Sequence, residues 1–432
     1  MRVKLKLLDS KMEFKFDRDL EDNKIRDDKL TRNIMTDEKI YIKINRNISQ
    51  NIHPDIIGLV AILLCNPFVG KKLELPLKVS SKFMKDVTSV ISRYKIVSEV
   101  DHDLEPLIEL EDGYPSLAFS GGADSCAALA IMPSRTIGIF LKRPMKKDSK
   151  YDHNAPLEIC NLLKNAGFDI RIIESNLENI RSPTGFPTDL ANSIPALLLS
   201  QELRLDSISF GTVLESAFGI GHQNYIEYSK GSHWRFYSKI FSAVGINLSL
   251  PVSGVSEVGT TMIGGVSSIA SLSQSCIRGK HKKPCLRCWK CFRKELLIYS
   301  LGFKSMLNIT SLMNTNEVQK RLSEIPISHE NVILYSLQRM NLEDFQYLKP
   351  IFNKMDKKIN LEFLEKWFPD SIEFVPKKYR FTIRENILKY LEPMNSVEID
   401  KVKNWNMNSH LENRDTIKAQ EELIKFWQNF NP

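Results

Sequence analysis

Short alternations of apolar and polar residues open the chain, over Val3–Leu8, Met12–Phe16 and Ile40–Ile44, with acidic turns between them. Period-two patterning of this kind predicts strands with one buried face, here an antiparallel sheet. His53-Pro54-Asp55 then opens a helix over Ile56–Cys65 that stops before Pro67. A second, amphipathic helix is expected over Lys78–Arg93 and a strand over Tyr94–Val100. Residues 1–112 therefore read as an α+β accessory domain, and no motif in them carries recognisable chemistry. From Pro115 the rhythm changes to strands and helices in alternation. Strands are predicted at Leu117–Phe119, Thr136–Leu141, Asp169–Ile173 and Ser207–Phe210, and helices at Ser125–Met132, Pro156–Ala166 and Leu190–Glu202. Such alternation predicts a parallel sheet covered by helices, with ligands beyond the carboxyl ends of the strands. Residues 219–265 read as glycine-rich and irregular, with Tyr225, Tyr228, Trp234, Phe236 and Tyr237 as a pocket wall or an ordinary packed loop. Residues 301–432 read as helices only, over Asn316–Glu324, Glu330–Met340, Leu342–Met355, Leu361–Trp367, Arg384–Leu391 and Thr416–Phe430. Asn341, Asn360 and Asp415 fit as caps, and Trp367, Trp405, Trp427 and Phe430 as core or interface.

The first strand of the alternating region runs into Ser120-Gly121-Gly122-Ala123-Asp124-Ser125 and straight on into a helix. A strand, glycine turn and helix aim free backbone N–H groups and the positive end of a helix dipole at an anion. Adjacent glycines let the backbone approach a phosphate with no Cβ in the way. Ser120 and Ser125 add hydroxyls, and Asp124 suits a metal ion or a helix cap. The alternative is a ligand-free glycine turn. The P-loop of Walker type is excluded, because no lysine follows the glycines. The motif resembles the SGGxDS signature of PP-loop ATP pyrophosphatases, which cut ATP between its α- and β-phosphates.

Charge narrows the partners. The net charge of +8 is concentrated in the middle of the chain, where residues 111–300 hold 21 basic and 16 acidic side chains. Arg278, Lys280, Lys282, Lys283, Arg287, Lys290, Arg293 and Lys294 follow one another without an acid. A local patch of this sort attracts the phosphates of a nucleotide or of RNA. The N-terminus lacks the apolar core of a signal peptide, and the longest apolar run, Ile56–Cys65, is too short to span a bilayer. A cytoplasmic protein with reduced or metal-bound cysteines is expected. Cys65, Cys126 and Cys160 lie in apolar surroundings and read as packing residues.

The other cysteines form Cys276-x8-Cys285-x2-Cys288-x2-Cys291. Tight Cys-x2-Cys turns bring sulfurs to one point, and four thiolates make a closed tetrahedral zinc site with no vacant position for catalysis. An iron–sulfur cluster is the rival, and His281 a possible substitute ligand.

SGGxDS followed at this distance by the cysteine pattern is similar to the QueC family, PP-loop enzymes that make cyano-deazaguanine from a carboxy-deazaguanine. The resemblance spans about 116–300. It implies a parallel sheet of the PP-loop (adenine nucleotide alpha-hydrolase-like) type for residues 113–300, flanked by the α+β domain and a helical domain over 301–432. It implies ATP and Mg²⁺ at Ser120, Gly121, Gly122, Asp124 and Ser125, with Lys142, Arg143 and Gly211 at neighbouring strand ends, and Zn²⁺ on the four cysteines. Arg181, Glu215 and Glu257 are expected as contacts to a deazaguanine-type carboxylate. The chain departs from the family in its flanking regions and in SGVSEVGTTM (253–262), which has Glu257 and no lysine where the family tends to carry a lysine-containing segment. The long form resembles QueC-like proteins of bacterial anti-phage systems. That implies an acyl-adenylate captured by ammonia or by an amine of a partner protein. Two other readings stay open: a tRNA-modifying PP-loop enzyme of thiolation or lysidine type, and a non-catalytic nucleotide-binding scaffold.

Overall fold

The computed structural model describes residues 1–22, 34–145, 151–221, 224–303, 308–406, 418–423 and 425. Two five-stranded sheets organise them. The first consists of β1 (Arg2–Leu8), β2 (Lys11–Asp17), β3 (Lys39–Ile42), β4 (Lys72–Glu74) and β5 (Lys95–Val97), in the order β3-β2-β1-β4-β5. The hairpin β1–β2 and the pair β2–β3 are antiparallel, as the alternation predicts. The other half corrects that expectation, because β1–β4 and β4–β5 are parallel. The chain leaves β3 through α1 (Pro54–Cys65) and returns on the far side of β1, a crossover that can only give parallel strands. Every residue of α1 from Asp55 to Cys65 is buried, so the helix is apolar all round. The helix predicted over Lys78–Arg93 is shorter, Ser81–Thr88, with Ser80 as its cap.

The second sheet contains β6 (Tyr114–Phe119), β7 (Ile137–Lys142), β8 (Ile170–Glu174), β9 (Leu205–Ser209) and β10 (Asn247–Ser249). Its order is β8-β7-β6-β9-β10 and every pairing is parallel. The strand order reverses between β6 and β9, so a crevice opens beyond their carboxyl ends. The two faces divide the core cleanly. Leu117, Phe119 and Phe140 pack with α2 (Ala123–Ile131) and α3 (Asn154–Asn165), whereas Ala118, Ile139 and Leu141 face the layer that includes α1. The larger core takes residues from Met1 to Leu423.

Residues 219–265 are more regular than their glycines suggest. They hold α4 (Ser232–Ser242), β10 and most of α5 (Glu257–Val266). The aromatics of this stretch are packing residues: the rings of Trp234 and Phe374 lie 4.8 Å apart, and those of Tyr228 and Phe374 5.3 Å. Beyond α6 (Trp289–Ser300) and α7 (Glu330–Gln338) the C-terminal region is not purely α-helical. Leu342–Met355 gives only a 3₁₀ turn and the helix Lys349–Asn353, and Leu361–Trp367 only the 3₁₀ turn Glu362–Glu365. The helix expected over Arg384–Leu391 lies earlier, as α8 (Lys377–Ile387), and docks Ile383 and Ile387 against the α2 side of the sheet. Trp367 and Trp405 are buried as expected. Of Thr416–Phe430, residues 418–423 and 425 are helical, while Asp415, Trp427 and Phe430 lie outside the described residues. No helix among the described residues is long and apolar enough to cross a membrane.

Candidate functional site

The glycine loop sits at the switch point. Ser120 follows β6, and α2 starts one residue after Gly122. Gly121 has φ +75°, a left-handed conformation that side chains resist, and it carries the chain through the turn. Gly122 differs: its φ of −78° and ψ of 166° suit any residue, and an added Cβ would meet only Ser120 Oγ, at 3.5 Å. Nothing in the protein's own packing asks for glycine there, which leaves clear space in front of the α2 N-terminus. The hydroxyls of Ser120 and Ser125 are 2.9 Å apart, Ser120 Oγ accepts from Gly122 N–H, and Ser125 Oγ donates to the Gly122 carbonyl. From the neighbouring strand, Gly211 closes on the loop so tightly that a Cβ would stand 3.0 Å from Ser125 N. Asp124 accepts a 3.0 Å hydrogen bond from Thr260 Oγ1 on α5.

Lys142 and Arg143 are engaged near the ends of β7 and β8. Lys142 pairs with Glu174 at 3.0 Å; Arg143 pairs with Glu178 at 2.8 Å and stacks 3.7 Å from the centre of the Tyr151 ring. Arg181 starts a short pairing with Met35 and lies against Gly185. The charges of Lys142 and Arg143 are thus taken up by Glu174 and Glu178 rather than by the loop.

Glu215 and Glu257 do come together, Glu257 buried and Glu215 half-buried. Both oxygens of Glu215 accept from the Glu257 backbone N–H at 3.0 and 3.1 Å, and Asn331 Nδ2 of α7 adds a second donor. Burial, with the neighbouring Glu257 charge, pushes the Glu215 carboxyl up to about 8. Glu257 shows the reverse. Against the burial that would raise it, Arg293, Lys294 and His329 hold its carboxyl well below the usual carboxylate range. Arg293 Nε and Lys294 Nζ each stand 2.9 Å from Glu257 Oε1, and His329 Nδ1 stands 3.6 Å from Oε2. Both acids expected at a ligand are thus engaged with other protein groups, and they link α5, α6 and α7. Sequence reading missed Thr260, His329 and Asn331, since isolated polar residues give no signal of partners so distant in the chain. Arg293 and Lys294 were visible only as members of the basic run.

Cys276, Cys285, Cys288 and Cys291 converge just ahead of α6, with all four sulfurs within 4.8 Å of one another. Neighbouring pairs are 3.5 to 4.0 Å apart. Zn–S bonds of about 2.3 Å in a tetrahedron give S···S separations of about 3.8 Å, so the donor set fits a metal ion such as zinc. A multi-iron cluster would have to hold these sulfurs farther apart to fit its irons and sulfides between them. His281 is turned away, with Nε2 on the Leu272 carbonyl at 3.2 Å. Glu317 fixes the segment by pairing with Arg278 and accepting from Trp289 N–H. The cysteine segment also reaches the glycine loop: Gln274 N–H donates to the Gly121 carbonyl at 3.0 Å, and Ala123 N–H points to Ser275 Oγ. Cys65, Cys126 and Cys160 are buried, and burial pushes the Cys160 thiol up to about 12, so it stays protonated.

A family model described as a family of unknown function (DUF6395) matches residues 236–406. The match takes in Glu257, the cysteine cluster, Arg293, Lys294, His329 and Asn331, and begins after the glycine loop. No curated protein and no solved structure matches the chain.

Proposed function

We propose that the chain binds ATP through Ser120–Ser125 and uses it to activate a carboxylate, releasing pyrophosphate, as its resemblance to the QueC family implies. The observation that carries this is the loop's position: a glycine turn with two facing hydroxyls, at the N-terminus of α2 and at the switch point of a parallel sheet. In that place backbone N–H groups and the helix dipole favour a multiply charged phosphate. A carboxylate is a poor electrophile because oxide is a poor leaving group. Its oxygen attacks the α-phosphorus, the bond to the bridging oxygen breaks, and pyrophosphate leaves with that oxygen. An amine then displaces AMP from the mixed anhydride to form an amide. Mg²⁺ would offset phosphate charge, and Asp124 is the loop carboxylate placed to hold it. The carboxylate would belong to a deazaguanine-type base, and the amine to ammonia or to a partner protein, in a setting of anti-phage defence. Zinc on the four cysteines would brace the segment that straps the loop.

Gly122→Val tests the loop directly. A valine suits the backbone at 122 and meets little protein there, so the fold should persist. In the proposed site its branches fill the phosphate's place, and ATP binding measured by calorimetry should vanish. A Gly122→Val protein that binds ATP as the wild type does would overturn the reading.

A further inference from the structure

Between α5, residues 270–276 and the start of α6 lies a cavity of about 450 Å³, a volume in the range that holds small organic ligands. Its walls are largely carbon, from Ala270, Ile298 and Phe303. The floor is bare at Gly264, because a Cβ there would have only the Ala270 carbonyl near it, at 3.9 Å, whereas Gly265 is covered by the Phe303 ring. Lys290 and Lys294, one turn apart on α6, both line this space. Their situations differ. Lys294 is neutralised by Glu257, whereas Lys290 has no ion pair among the described residues and remains open to solvent. Glu295 on the same wall is itself engaged. An anion in the cavity would give the Lys290 ammonium a partner through a charge-assisted hydrogen bond. Ala123, the first residue of α2, forms part of the cavity wall, so an occupant would lie beside the glycine loop.

We infer that this cavity binds a small carboxylic acid with a carbon-rich ring body, its carboxylate held by Lys290. The inference rests on the proposed ATP chemistry only for the later fate of the acid; binding itself needs no nucleotide. It relocates substrate recognition from Glu215 and Glu257, whose carboxylates already have protein partners, to a wall the basic run provides.

The test is calorimetry on the full metal-loaded chain without ATP, titrated with carboxy-deazaguanine and with its uncharged carboxamide. The wild type should prefer the acid by about tenfold or more, the effect of one charge-assisted contact. Lys290→Met should erase that preference by weakening the acid alone, and Gly264→Leu should exclude both compounds by filling the floor. Binding of neither compound to the wild type, equal affinity for the two, or an undiminished preference in Lys290→Met would each overturn the inference. Parallel titrations with ATP separate the two proposals. If the wild type fails to bind ATP but keeps its acid preference, the nucleotide reading falls and the cavity assignment stands. If Lys290→Met loses ATP binding and keeps the acid, Lys290 serves the phosphates and the cavity assignment falls.

Discussion

The glycine loop and the cysteine segment touch each other but are held in place by opposite means. In the loop, backbone and hydroxyl groups satisfy one another: Ser120 with Ser125, Gly122 with both, Asp124 with Thr260. Those bonds fix its shape with no ligand contributing. In the cysteine segment four sulfurs crowd together within 4.8 Å. Thiols are weak donors and acceptors, and thiolates repel, so this arrangement is one that a cation could hold together. The contrast separates roles. A side chain lost from the loop should change chemistry and spare the fold, whereas one lost from the cysteines should change the fold first.

The largest expected effect follows from Cys288→Ser. Structural zinc sites contribute on the order of 10 kcal/mol of apparent binding energy that is also folding energy. The variant should lose its metal and melt far below the wild type, as read by metal analysis and thermal unfolding. The wild type itself should be colourless and carry zinc. Stoichiometric iron with broad visible absorbance would reverse the metal assignment.

Glu257→Gln comes next and extends the contrast to the charge cluster. Arg293 is buried and Lys294 nearly so, and both rely on Glu257. Removing one partner of a buried pair leaves charge uncompensated, so a loss of about 3–5 kcal/mol is expected in denaturant unfolding. A loss of a few tenths would mean that the cluster is not what joins α5 to α6.

Glu215 gives an effect that depends on pH. Its folded value of about 8 lies above that of an exposed glutamate, so between the two the folded state binds more protons than the unfolded one. Its contribution is therefore complete at acid pH and is lost as pH rises toward 8, by at most about 1.4 kcal/mol per pH unit. Glu257, held low, acts in the opposite sense and only under acid conditions. Glu215→Gln should flatten the decline in stability between pH 5 and pH 8, a window set by these values. An unchanged slope would show that Glu215 is ionised in the fold.

Much of the central sheet was legible because its strands are short apolar runs punctuated by glycine, and each predicted strand from Leu117 to Phe210 begins and ends within three residues of an observed one. The stretch from 219 to 265 was not. Gly259, Gly264 and Gly265 argue against a helix, yet α5 forms there, started by Ser256 accepting from Gly259 N–H and packed against Val255 and Leu391. Tertiary packing outweighs local propensity at such positions. Leu342–Met355 errs the other way, since helical spacing of apolar residues cannot show that Pro350 limits the helix to its last turns. For the site, the loop and the cysteines were readable because their residues are close in sequence. The Glu215–Glu257–Arg293–Asn331 cluster was not, because it joins positions up to 116 residues apart.

The measurement that bears most directly on the central claim is the identity of the nucleotide product. With ATP, Mg²⁺, carboxy-deazaguanine and ammonia, separated by ion-exchange chromatography, the account predicts AMP and pyrophosphate. Asp124→Ala should lower their formation by on the order of 10²–10³-fold, since electrostatic stabilisation of the transferred group is commonly the largest catalytic contribution. The same substitution removes a single hydrogen bond to Thr260, so stability should fall by only about 1 kcal/mol. ADP and phosphate as products, or an Asp124→Ala protein that turns over at the wild-type rate, would contradict the assignment of Ser120–Ser125 as the loop that holds pyrophosphate.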